Sequence, residues 1–356
     1  MSRPIRARID LAALRHNHGV ARAHAGDARI WSVVKANGYG HGLSRVAAAL
    51  ADTTDGFALI ELDGAIALRE AGIRQPILML EGFYEAEELP AFDAYGLTTV
   101  IHSRAQAEAF CDAALPCKLP VYLKLNTGMN RLGLNRDEVA AVRDMIERSR
   151  LASSVTLMTH FADADGPRGV DWQMDALAGM AGDGPRSLAN SAGLLRHSHA
   201  LGDWVRPGIM LYGSSPFPEQ TAAELGLRPV MTLESQLIAV RDIAAGERVG
   251  YGGTFTAERP MTIGVVACGY ADGYPRHAPN GAPVLVAGQR CGIVGRVSMD
   301  KLCVDLSKLP QKVGAGETAI LWGEGLPADE VAAAAGTISY ELFCGLAARV
   351  PVIEID

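Results

Sequence analysis

From Ile30 to about Tyr212 the chain alternates short apolar runs with longer amphipathic, alanine- and charge-rich stretches. The apolar runs are Ile30–Val34, Gly56–Ile60, Pro76–Leu80, Thr98–Ile101, Val121–Leu125, Val155–Thr159, Arg186–Ala189 and Asp203–Arg206. Short apolar runs bounded by turn residues predict strands buried on both faces. Between them, Leu62–Ala71, Arg104–Ala114, Asp137–Ser149 and Val170–Met180 read as helices. Eight strand runs, most followed by a helix, are the count of a (β/α)8 TIM-type barrel, an α/β fold. The last two runs are short and polar. After about Leu227 the rhythm changes. Thr232–Ile243, Met261–Cys268, Pro283–Val286, Cys291–Arg296, Cys303–Asp305 and Thr318–Leu321 are strand-like and separated by glycine and proline turns. Little helix intervenes before Ala328–Ala335, so a C-terminal all-β domain is expected. The boundary falls near Pro229, dividing the chain into 1–228 and 229–356. Ile5–Ile9 alternates and suits a strand of either domain.

Composition narrows the function classes. The chain of 356 residues is 49% hydrophobic and 21% charged, as in soluble globular proteins. Thirty-three basic against forty acidic residues give a net charge of -7 without a basic run, so nucleic acid is an unexpected partner. No apolar stretch suits a membrane span or a secretory signal behind the N-terminal basic residues, and a cytoplasmic location is expected. Six cysteines show neither CxxC spacing nor a Cys/His grouping, so free thiols and no metal are expected.

Chemistry concentrates at Val33-Val34-Lys35-Ala36-Asn37-Gly38-Tyr39-Gly40-His41-Gly42. Lys35 ends an apolar run, where desolvation favours the neutral amine that attacks a carbonyl to form a Schiff base. The glycines let backbone approach a ligand, and Tyr39 offers a ring or a hydrogen bond. Lys35, Lys124, His160 and Asn190-Ser191 each fall at or just past the carboxyl end of a different predicted strand. Active sites of this barrel gather on that rim. Taken alone, each position has an ordinary reading. Asn190-Ser191-Ala192-Gly193 is a helix cap or an anion-facing helix start, and a strand-end histidine packs or caps.

The Lys35 segment resembles that of the pyridoxal-phosphate alanine racemases, and the resemblance runs nearly to the C-terminus. It implies pyridoxal 5'-phosphate on Lys35, with phosphate held by Tyr39, Ser191, Gly208, Ile209 and Tyr340. It places Arg206 against the pyridine nitrogen, steadied by His160. An arginine keeps its charge and donates, leaving that nitrogen unprotonated and the ring a weaker electron sink. Lys124-Leu125-Asn126-Thr127-Gly128-Met129-Asn130-Arg131-Leu132-Gly133 matches the family pattern K-x-D-T-G-M-x-R-x-G except at Asn126. Arg131 is implied to bind the cofactor's phenolic oxygen and the substrate carboxylate, and Lys124 to be open to carbamylation.

Racemisation requires a base on each face of Cα. The resemblance assigns these to Lys35 and to Tyr251, within Val249-Gly250-Tyr251-Gly252-Gly253-Thr254. In the family this tyrosine serves the partner's site, which implies a homodimer with shared sites. A tyrosine in a glycine-rich turn is otherwise an ordinary surface aromatic. Tyr270, Arg276 and Asp300 match the substrate channel, and Met299 a backbone contact to the substrate carboxylate. The implied function is interconversion of L- and D-alanine, for peptidoglycan or D-alanine metabolism. Three rivals are a basic amino-acid decarboxylase on the same plan, a barrel-only cofactor carrier and a periplasmic broad-specificity racemase. They are disfavoured respectively by Arg206 in place of a carboxylate, by Tyr251 and the second domain, and by the expected lack of an export signal.

Overall fold

The structure, a computed structural model, describes residues 3–180 and 182–356. Strand β1 (Arg6–Asp10) leads into helix α1 (Leu11–Ala25). Eight strands then close a parallel barrel: β2 (Arg29–Val33), β3 (Gly56–Leu59), β4 (Ile77–Met79), β5 (Leu97–Ile101), β6 (Leu119–Lys124), β7 (Ala152–Met158), β8 (Arg186–Ser187) and β9 (Trp204–Val205). Closure comes from β9 on β2, with Arg29 opposite Trp204 and Ile30 opposite Val205. The eight apolar runs are therefore the eight staves. β3, β4 and β5 are buried at every position, so they lack the alternation of one-sided strands. β8 and β9 are short for a visible reason. Asp203 accepts from the Arg186 N–H through its carboxylate at 2.7 Å, and its own N–H donates to the Arg186 carbonyl at 2.8 Å. A side chain thus completes what a longer ladder does elsewhere.

Helices α2 (Leu43–Leu50), α3 (Leu62–Glu70), α4 (Leu89–Ala94), α5 (Arg104–Asp112), α6 (Val139–Ser149), α7 (Asp171–Ala178) and α8 (Ser191–Arg196) follow successive strands. Each buries a stripe: Val46, Ala47 and Leu50 on α2, and Val139, Val142 and Ile146 on α6. Ser103 caps α5 by accepting from the Gln106 N–H.

The remaining strands are β10 (Met231–Ile243), β11 (Arg248–Val249), β12 (Phe255–Thr256), β13 (Met261–Val266), β14 (Pro283–Val286), β15 (Gln289–Gly292), β16 (Leu302–Asp305), β17 (Thr318–Trp322) and β18 (Val352–Ile355). Helices α9 (Ala328–Ala335) and α10 (Ser339–Cys344) lie late in the same region. Long β10 is the hub, pairing with β1, β13 and β17. Strand β1 lies antiparallel to β10 and parallel to β18, so the N-terminal strand belongs to this sheet rather than to the barrel.

The chain divides into two compact units. One comprises Arg15–Gly38 and Gly42–Leu211; the other takes in the segment through Leu14, Tyr39–His41 and Tyr212–Asp356. The second begins at Tyr212, ahead of the rhythm change near Pro229. Gly213 packs against the Arg228 carbonyl, which holds the intervening loop in this unit. No disulfide joins the six cysteines, and among the described residues no helix is long and apolar enough to cross a membrane.

Candidate active site

In the barrel unit, site residues sit at the carboxyl ends of different strands. Lys35 follows β2, Lys124 closes β6, His160 follows β7, Asn190 and Ser191 open α8, and Arg206 follows β9. The backbone after Lys35 is unusual. Ala36 (φ 53, ψ 51), Asn37 (φ 54, ψ 46) and Gly38 (φ 62, ψ 45) make a left-handed turn. Such geometry costs roughly 1–2 kcal/mol per L-residue and persists only when surroundings enforce it. Here the Ala36 N–H donates to Glu61 Oε1 at 3.1 Å, and Asn37 Oδ1 accepts from the Leu43 N–H at 2.8 Å. Lys35 itself is half-buried, less enclosed than its apolar run suggests.

Cationic side chains cluster around it. Lys124 is buried, and burial, followed by the charges of Arg206 and Arg131, pushes its pKa down to about 8. Glu81, beyond β4, opposes that shift. His160 is driven well below its ordinary value by burial and then by Arg206, Lys124, Arg131 and Lys35, so it is neutral. Lys124, Asn126, Arg131 and His160 line a small cavity of about 10 Å³. Arg131 is exposed on its rim.

Arg206 is 4% exposed, and burial lowers its pKa to about 10, so it stays charged at neutral pH. Its guanidinium donates to Ser187 Oγ at 2.7 Å, the Thr159 carbonyl at 2.5 Å and the Leu188 carbonyl at 3.0 Å. The sequence reading gave His160 the task of steadying it. In the structure that task falls to neutral oxygens at the carboxyl ends of β7 and β8, Ser187 Oγ and the Thr159 and Leu188 carbonyls, which accept from the buried cation.

Asn190 caps α8, its Oδ1 accepting from the Gly193 N–H at 2.9 Å. Ser191 Oγ accepts from the N–H groups of Gly208 (2.9 Å) and Met210 (3.5 Å), which draws the Gly208–Ile209 turn onto the helix start. Ile209 is fully buried. Asn126 organises its loop, accepting from the Gly128 and Asn130 N–H groups and donating to Asn130 Oδ1 at 2.9 Å. An aspartate could accept there but not donate. Gln173 went unnoticed in the sequence. Fully buried on α7, it donates to Thr127 Oγ1 (2.9 Å) and the His160 carbonyl (3.1 Å), and accepts from the Ala162 N–H (2.7 Å). Its signal was an amide on the helix face that also carries Leu177.

The other unit holds the remaining candidates. Tyr39 is buried and stacks on Tyr212 at 4.6 Å, with Tyr340 tilted at 6.0 Å. Burial raises the Tyr39 hydroxyl well above the usual range, so it is a neutral donor. Tyr251 is 73% exposed in a turn flanked by left-handed Gly250 and Gly252. Arg248 clamps that turn by donating to the Gly252 and Gly253 carbonyls at 3.0 and 2.9 Å. Tyr270 and Met299 are exposed side chains on bonded segments: the Tyr270 N–H donates to the Ser298 carbonyl (3.1 Å) and the Ala271 N–H to that of Met299 (3.0 Å). Arg276 is exposed and Asp300 half-exposed.

Residues 9–216 match the family model for the alanine racemase N-terminal domain, and residues 230–354 that for the alanine racemase C-terminal domain. The chain is 55% identical to an alanine racemase of Nitrosomonas eutropha over 100% of both chains. It is 51% identical to a catabolic alanine racemase of Salmonella typhimurium over 99% of both. The crystal structure of a biosynthetic alanine racemase from Pseudomonas aeruginosa superposes with a TM-score of 0.94 at 47% identity, covering 99% of this chain and 100% of that one. Full-length likeness of this degree, on a barrel whose rim carries these residues, leaves one conclusion: the chain belongs to the alanine racemase family, whose members depend on pyridoxal phosphate.

Proposed function

We propose that the protein interconverts L- and D-alanine with pyridoxal 5'-phosphate attached at Lys35, supplying D-alanine for peptidoglycan or for D-alanine metabolism. The carrying observation is the cationic rim of the barrel. Lys35, Lys124, Arg131 and Arg206 act together on neutral His160, an excess of positive charge suited to a phosphate and a carboxylate. The donor set fits the cofactor. Ser191 Oγ accepts from the Gly208 N–H and keeps its own proton to donate, and Ser191, Gly208, Ile209, Asn190, Tyr39 and Tyr340 are the proposed cofactor ligands.

When bound, pyridoxal phosphate acidifies the α-hydrogen of an amino acid. The chain's own residues then decide the outcome. Buried Arg206, held by oxygens, presents a fixed donor to the pyridine nitrogen and cannot protonate it, which limits side reactions. Arg131 and the Met299 backbone fix the substrate carboxylate. The Lys35 amine moves a proton on one face of Cα and the Tyr251 phenol moves one on the other. His160 lines the pocket as a neutral group. Tyr251 lies exposed in a single chain, which supports a homodimer in which residues 229–356 complete the partner's site. Tyr270, Arg276 and Asp300 are the proposed channel.

The test is L-alanine in deuterated water. Expected are exchange of the α-hydrogen and loss of optical rotation without release of carbon dioxide; an intact α-hydrogen refutes the reading. Lys35→Ala is expected to lose the visible absorption of the attached cofactor. Tyr251→Phe is expected to keep that absorption and lose turnover in both directions.

A further inference from the structure

Asp272 belongs to none of the roles above, yet it is the most heavily bonded carboxylate near Tyr270. It is 0% exposed. Arg3 donates to both of its oxygens, at 2.7 and 2.8 Å, and Arg349 Nε to Oδ1 at 2.8 Å. The Gly269 N–H donates to Oδ2 at 3.0 Å. Arg349 continues to Asp300 Oδ1 at 2.6 Å, closing a neutral quartet of two carboxylates and two guanidinia. The Asp272 carbonyl also accepts from the Ala347 N–H at 3.2 Å. Three segments meet on this carboxylate, the N-terminal one through Arg3, the Gly269–Tyr274 turn and the stretch after α10, the helix of Tyr340; Arg349 then links it to Asp300 in the Ser298–Lys301 turn.

The junction has no slack. A Cβ at Gly269 would lie 2.2 Å from the Ser298 carbonyl oxygen, and one at Gly273 would lie 2.3 Å from that of Gly345. Backbone contacts this close fix the spacing, and Asp272 supplies the charge that fixes the register.

We propose that Asp272 is a positioning residue for substrate recognition. Through Arg349 and the Gly269 turn it sets where Tyr270, the Met299 backbone and Asp300 stand relative to one another. The proposal rests on the racemase reading, since those three are its substrate-facing groups. A sub-ångström change in their spacing acts on fit to a small amino acid and its carboxylate, and hence on KM before the proton-moving groups.

The experiment uses the holoenzyme with Asp272→Asn, Arg349→Met, Arg349→Lys and the Asp272→Asn/Arg349→Met pair, beside wild type. KM for L-alanine is expected to rise on the order of ten- to a hundredfold in the first two, with a much smaller change in kcat and in cofactor absorption. The pair is expected to be no worse than Asp272→Asn alone, and Arg349→Lys to recover part of the loss. A merely structural carboxylate would lower the melting temperature and the yield while KM stays within twofold, and that result overturns the proposal. If Asp272→Asn does not fold, Arg349→Met, whose side chain is 41% exposed, decides in the same way. Wild type that fails to racemise alanine would instead overturn the reading beneath it.

Discussion

Burial and two neighbouring guanidinia hold the Lys124 amine at about 8, against an ordinary value of 10.5. The sign follows from linkage. The unfolded chain keeps its proton up to higher pH than the fold does, so the fold's deficit is fully present below 8 and disappears as pH rises through 10.5. At pH 7 this amounts to roughly 3 kcal/mol at a nearly enclosed site. Lys124→Met is therefore expected to raise the melting temperature at pH 7 and to do much less at pH 10. A lowered amine pKa also leaves more neutral amine to react with carbon dioxide. If carbamylation occurs, wild type should gain stability with added bicarbonate, while Lys124→Met should not; mass spectrometry of the native protein checks the adduct. Lys35, Lys124 and His160 were legible beforehand because they fell at strand ends, and Arg131 and Arg206 through the family resemblance. What held them was not. Arg206 reaches Thr159, 47 positions away, and Gln173 reaches Thr127, 46 positions away, pairings that no local pattern encodes.

Among the elements, the glycine beyond the left-handed run after Lys35 sets a tight limit. A Cβ at Gly40 would lie 2.0 Å from the carbonyl oxygen of Phe343 on α10. The φ of Gly40, 77°, also disfavours any L side chain. Gly40→Ala is expected to cost about 3 kcal/mol or more, read by denaturant unfolding, because both partners are backbone. Helix α1 carries a different liability. His18 on it is 2% exposed, its Nε2 lacks a hydrogen-bond partner, and burial followed by the charge of Arg22 lowers its pKa to about 4. The stability it permits is fully present above 6.5 and is lost as pH falls through 4. His18→Leu is expected to flatten the acid limb of a stability–pH curve between those values; an unchanged limb would sink the assignment. Helix α1 itself was not anticipated, since its apolar positions are interleaved with histidines and arginines. The barrel staves were, because burial on both faces leaves continuous apolar runs.

At the scale of the whole molecule, shared sites make a prediction that a self-sufficient chain does not. Lys35→Ala and Tyr251→Phe should each be inactive, yet unfolding and refolding them together should restore activity. Roughly half the dimers would be mixed, each with one intact site of two, giving about a quarter of wild-type activity. No recovery would show that one chain supplies both bases.

The order of apolar runs and the positions of reactive residues within them were written in the linear chain. Strand count and the fall of Lys35, Lys124 and His160 at strand ends follow from those, because the spacing of apolar residues is a local property. Tertiary structure alone decided that β9 closes on β2, that β1 joins β18, that oxygens at the ends of β7 and β8 hold Arg206, and that Arg3 meets Asp272 across 269 residues. Such pairings depend on where folding brings distant segments, and a buried charge reveals its partner only once the chain has closed around it.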